Sequence, residues 1–216
     1  MPVHDPRDYP QVLARIKDKV ERQGIELGPV LTEAEIEDFE RACRTRLPEG
    51  YRLFLQRIGD GCAAMVDGFR LTRLADVERK DLSAPFRFVN HFVWEAEYSL
   101  TDDELDNEVN FALGLQGAER VHVDRENLDE LIEWAMANQG LELIDVGCGQ
   151  TFELITAGPC AGEVWDFADV GVQPCCERQD FLGWFELWLD HRDDVNYQKD
   201  FVYQPVHTTN RSAGAT

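Results

Sequence analysis

Nowhere in this 216-residue chain do cysteines and histidines stand at the spacing of a metal site. Structural zinc takes pairs of soft ligands about two to four residues apart. The six cysteines (Cys43, Cys62, Cys148, Cys160, Cys175, Cys176) offer one adjacent pair, and His4, His91, His122, His191 and His207 are scattered. A phosphate loop is missing too, because "GLQGAER" has neither the lysine nor the spacing. So is a calcium loop of alternating Asp and Asn ligands about a central glycine. No run approaches the roughly 20 apolar residues that span a bilayer. The opening residues "MPVHDPRDYPQ" carry no basic region followed by an apolar one, so no secretory signal is read there and the cytoplasm is the expected compartment. Its reducing conditions lead us to expect free thiols, with a vicinal Cys175–Cys176 disulfide as the alternative. Internal repeats and low-complexity tracts are also lacking.

Basic residues are scarce: 21 Lys and Arg stand against 42 Asp and Glu, a formal net charge of −21. A surface of this sign repels phosphate backbones and anionic lipids and attracts basic partners, so neither nucleic-acid nor membrane binding is expected. The acidity is concentrated. Between Glu95 and Asp145 there are 15 acidic and two basic residues, a net of −13.

Catalytic groupings are missing as well. Cys148, between Gly147 and Gly149 in "VGCGQ", suits a tight turn between strands, and no histidine lies near it in sequence to activate a nucleophile. Asp102, Asp103, Asp106 and Glu108 are dense enough to attract Mg²⁺ or Ca²⁺ weakly, which leaves a metal-dependent hydrolase as an alternative to a solvated helix face. No acid, base and nucleophile stand together. The chain is therefore read as non-enzymatic, with no catalytic residue, cofactor or metal site assigned.

What is present is periodicity. Tyr9, Val12, Leu13, Ile16 and Val20 recur at helical spacing ahead of Gly24. Thr32 and Glu35 form a capping-box signature before a helix carrying Ile36, Phe39 and Cys43. Pro48 suits the first position of the next helix, whose face is Tyr51, Phe54, Leu55 and Ile58, and Gly59 is placed for a left-handed cap. "FRLTRLADVE" reads as a short strand and turn. Thr101 and Glu104 repeat the capping box over Leu105, Val109 and Ala112; "RVHV" reads as a short strand; Leu128, Leu131, Ile132 and Ala135 mark a helix stopped by Gly140. From Leu141 the rhythm turns β-like in "LELIDVG", "TFELITAG" and "GEVWDFADVG", expected as antiparallel strands joined by tight turns. A closing helix places Phe181, Trp184, Phe185 and Trp188 on one face. The class expected is α+β: a mixed or antiparallel sheet packed against helices, with a helical N-terminal part and a closing C-terminal helix.

Two blocks of this chain resemble the SUKH superfamily, which includes yeast cell-wall-assembly regulators and many bacterial immunity proteins. One is "LTEAEIEDFERACRTRLPEGYRLFLQRIGDG"; the other is "GCGQTFELITAGPCAGEVWDF" followed by "DFLGWFELWLD". The matching positions are Leu47, Pro48, Tyr51, Phe54, Leu55, Gly59, Gly61, Gly147, Gly149, Gly162, Val164 and Trp165, and the resemblance implies that they are fold positions with no shared catalytic role. On that basis residues 1–203 are expected to form a single SUKH-like domain with an acidic insertion at about 80–140, followed by a flexible tail at 204–216.

The resemblance implies a protein that binds protein, in bacteria by neutralising a toxin of the nuclease or deaminase type. Charge and resemblance together predict a carboxylate-rich face that occupies the basic cleft of such a toxin domain. The candidate partner-binding residues are Glu97, Asp102, Asp103, Asp106, Glu108, Glu130 and Glu133. The alternative is a scaffold or regulator of cell-wall or signalling assemblies.

Overall fold

In the computed structural model, residues 4–65, 68–94, 100–175 and 178–192 are described; Glu97, Cys176 and the tail at 204–216 lie outside them. The helix α1 (Tyr9–Gln23) buries the five residues its spacing selects and closes on Gly24 at φ 63°. Helix α2 (Glu33–Ala42) starts with both halves of the Thr32/Glu35 capping box in place. Helix α3 (Glu49–Arg57) begins one residue later than expected, because Pro48 is its N-cap with an extended ψ of 137°. Two short antiparallel strands pair, β1 (Leu27–Gly28) between α1 and α2 and β2 (Asp60–Cys62) after α3.

Gly59 departs from the left-handed cap expected of it. Positive φ falls instead on Gly61, at 71°. A Cβ on Gly59 would lie 2.6 Å from the Cβ of Leu27 and 2.7 Å from the Gly28 carbonyl oxygen, so the absent side chain is what lets the end of α3 lie directly on β1.

The second half holds α4 (Asp102–Ala112), α5 (Arg125–Ala137) and a four-stranded antiparallel sheet in sequence order, β3 (Leu141–Gly147), β4 (Gln150–Leu154), β5 (Val164–Ala168) and β6 (Gly171–Pro174), before α6 (Phe181–His191) ends the described fold. The β3–β4 connection is Cys148–Gly149 with φ 53° and 78°, the positive pair of a type I′ hairpin. Cys148 is thus a turn residue, as expected, and it is exposed and free. Cys43, Cys62 and Cys160 are buried and free, and Cys175 is buried.

Four further sequence expectations change. Residues 120–123, "RVHV", do not join a strand. "FRLTRLADVE" supplies a single bridge, Leu71 to Cys62, followed by a turn. Helix α5 stops at Ala137 with Asn138 as its cap, ahead of Gly140. A fourth strand, β6, also follows β5, starting at Gly171, the last residue of the third run.

The sheet is covered on both faces. Phe152, Leu154, Val164 and Cys175 point into one apolar cluster with α1, α2, α3 and α6; Ile155, Trp165, Phe167 and Val172 point into a second with Phe86, Phe88, Phe92, α4 and α5. Period-two alternation along each strand makes this division. All five residues of β5 are buried as a result. The layer extends beyond the named strands: Thr72 N–H donates to the Leu143 carbonyl at 2.8 Å, and Phe92 bridges to Val172 on β6.

The two sequence blocks that carry the resemblance meet in the first cluster. The Tyr51 and Phe54 rings stand edge-on to Phe181 at 4.5 and 4.9 Å, and a Cβ on Gly162 would be 3.7 Å from the Cβ of Pro48. Leu47, Tyr51, Phe54, Leu55, Val164 and Trp165 are each at most 1% exposed, and Gly147, Gly149 and Gly162 have positive φ.

Candidate partner-binding surface

Helix α4 owes its position to its caps. The Thr101 side chain accepts from Glu104 N–H, and the Glu104 carboxylate accepts from Thr101 N–H at 3.0 Å. Asp102 and Asp103 occupy the first turn, where carboxylates meet the positive end of the helix dipole. Leu105, Val109 and Ala112 anchor the other face in the second apolar cluster. At the C-terminal end the Ala112 carbonyl accepts from the N–H groups of Val89 at 2.8 Å and Asn90 at 3.1 Å, while the Asn90 amide donates to the Phe111 carbonyl at 2.8 Å. Phe111 itself is 44% exposed, with the His91 ring edge-on at 5.4 Å.

The segment 120–123 is held by side chains of α4 instead of by a strand partner. Asn110, buried at 1% exposure, accepts from Val121 N–H at 2.8 Å and donates to the Val121 carbonyl at 2.7 Å. Asp106 accepts from Val123 N–H at 2.7 Å and pairs with the His122 Nδ1 at 2.9 Å. The His122 hydrogen bond, then the Val123 N–H, holds the Asp106 carboxyl below the usual carboxylate range. The same bond raises the His122 imidazole. Asp106, counted among the candidate contact residues, is therefore already occupied in fastening a loop.

The other described candidates are free of such work. Asp102, Asp103 and Glu108 on α4 and Glu130 and Glu133 on α5 are exposed, and none of the five has an ion-pair partner among the described residues. The opposite layer differs. There Glu186 pairs with Arg15 at 2.6 Å and Lys19 at 2.7 Å, Asp190 with Lys19 at 2.6 Å, Asp18 with Arg22 at 2.7 Å, and Glu40 with Arg52 at 2.6 Å. That layer pairs several of its acids with cations, although Glu21, Glu37 and Glu49 there are exposed and in no ion pair among the described residues. Glu97 is outside the described residues.

Sequence reading missed the buried acids of the sheet. Glu153 is 1% exposed and burial raises its carboxyl to about 7; Asp166 is 2% exposed and burial raises it to about 6, although the Gln150 amide donates to it at 3.0 Å. Glu163, also 2% exposed, accepts from Arg178 Nε at 2.8 Å and from the Trp165 indole at 3.1 Å. In "FEL" and "VWDFA" each acid stands between apolar neighbours; Glu153 shares the face of Trp165 and Asp166 the face of Phe152 and Val164, so both are hidden because the sheet is covered on both sides. Among the described residues no group of three or more His, Cys, Asp or Glu side chains is placed to hold a metal, and no helix is long and apolar enough to cross a membrane. Comparison of the chain with protein-family models, with curated proteins and with solved structures finds no match.

Proposed function

We propose that the chain is a SUKH-type immunity protein that binds a basic toxin domain, of nuclease or deaminase type, through the outer face of α4 and α5. The observation that carries the reading is the set of exposed carboxylates Asp102, Asp103, Glu108, Glu130 and Glu133, in no ion pair among the described residues, on two helices with capped N-termini. Toxins that act on nucleic acid carry cationic clefts for phosphate, and a fixed carboxylate array replaces the substrate there. Such charges steer encounter and set specificity more than they add affinity. The solvent-facing Phe111 on the same helix supplies the apolar contact that charge alone lacks.

The test is co-purification with the product of the adjacent gene, followed by Asp102→Lys, Asp103→Lys and Glu108→Lys together. The reading expects a complex whose association rate falls with salt and with charge reversal. No complex, or one indifferent to both, refutes the electrostatic interface.

A further inference from the structure

Glu142 on β3 and Glu153 on β4 are register partners in the antiparallel ladder, so their side chains rise side by side from one face of the sheet. Burial is unequal: Glu153 is 1% exposed, whereas Glu142 is half-buried. One Glu153 oxygen accepts from the Thr151 hydroxyl at 2.9 Å, and the other, Oε2, is buried with no hydrogen-bond partner. An ionised carboxylate in that position would forfeit its hydration with one donor in return. A like charge directly opposite makes it worse.

The segment 76–86, the strap that takes the chain from the first apolar cluster to the second, brings Glu78 and Lys80 near enough to act on the pair. It is tied at Leu82, whose N–H donates to the Cys43 carbonyl at 2.8 Å and whose carbonyl accepts from the Thr156 hydroxyl at 3.1 Å. The charges that act on the carboxyl pair are Lys80 and Glu78 of the strap, Arg70 before it and Asp145 on β3. Lys80 makes no ion pair among the described residues, while the neighbouring strap charges are engaged elsewhere, Arg79 with Asp38 and Asp81 with Arg44, each at 3.1 Å.

We propose that Glu142 and Glu153 hold a single proton between them, and that losing it to solvent loosens the strap and so uncouples the acidic layer from the helical one. The proton is retained because Glu153, desolvated and facing Glu142, titrates near neutrality, at about 7 against an ordinary 4.5. With a raised folded value the stabilisation is complete below the ordinary value and is lost as pH climbs to the folded one.

Hydrogen-exchange mass spectrometry on the full chain at pH 5 and pH 8, with rates divided by their intrinsic values, tests this on peptides covering 76–86. The expected result is opening on the order of 10- to 100-fold more frequent at pH 8, reduced to less than about threefold in Glu153→Gln. In Glu142→Gln the pH effect shrinks without vanishing, because Glu153 then ionises at lower pH with no like charge opposite. A strap equally protected at both pH values, or an undiminished pH effect in Glu153→Gln, overturns the proposal. Should Glu153→Gln fail to fold, Glu142→Gln decides it: an unchanged pH effect in that variant is equally fatal.

Discussion

The position where Gly59 would carry a Cβ lies 2.6 Å from the Cβ of Leu27, closer than two such carbons approach in folded proteins. The end of α3 and strand β1 are in contact because one of them has no side chain at that point. We expect Gly59→Ala to cost about 1–3 kcal/mol by forcing the two apart. Because Gly59 does not have positive φ, Gly59→Asn should be at least as damaging, whereas a left-handed cap tolerates asparagine. Urea denaturation of both variants measures this, and an asparagine variant more stable than the alanine one would contradict it.

Asp106 and its neighbours Asp102 and Asp103 should separate by phenotype. Asp106→Ala removes the acceptor for Val123 N–H and the partner of His122, so the melting temperature should fall and exchange in 120–123 should rise. Asp102→Lys with Asp103→Lys breaks no ion pair among the described residues, so its fold should survive with only the first-turn dipole contribution lost, on the order of 0.5 kcal/mol per charge. Its effect belongs in partner association. Equal melting losses in the two variants would show that this division is wrong.

Asp166 sets a second pH dependence, at the level of global stability. Its folded value is about 6 against an ordinary 3.8, so the stabilisation is full below 3.8 and is lost by pH 6. A difference of that size corresponds to about 3 kcal/mol. Asp166→Asn keeps an acceptor for the Gln150 amide and removes the charge. It should therefore be more stable than wild type at pH 8, with the advantage gone or reversed at pH 4. Chemical denaturation at the two values reads the sign directly.

Glu186 clamps α1 to α6 by taking Arg15 and Lys19 on one carboxylate. Glu186→Gln leaves two cations facing a neutral amide and should cost about 1–2 kcal/mol. Raising the salt concentration should leave most of that loss in place, since the acid is only 8% exposed. A loss that disappears in salt would mean that the clamp acts at long range.

Local chemistry in this chain was legible residue by residue. Both Thr–Glu capping boxes, the buried stripe of α1 and the glycine-flanked turn at Cys148 follow from contacts within four residues of one another. What was hidden depends on distant chain. "RVHV" has a strand's alternation, but its backbone groups are satisfied by the Asn110 and Asp106 side chains, which periodicity does not register. β6 is four residues ending in Pro174, too short to carry a pattern. Of the candidate site, the exposed acids were readable as charge, but Asp106 looked the same as Asp103 in sequence and differs only through a loop that returns 17 residues later. Gly59 and Gly61 both stand out in sequence, but what Gly59 is needed for, the close approach of β1, is a tertiary fact that local pattern does not carry.

The sheet that separates the two apolar clusters also insulates them from each other's sequence changes. Residues of α4 and α5 lie in the cluster on one face of β3–β6 and those of α1, α3 and α6 in the cluster on the other, and the two are joined by the strands and by the segment 76–86. Descendants of this chain can therefore exchange one outer layer wholesale, with its charge and its contacts, at little cost to the packing of the opposite layer.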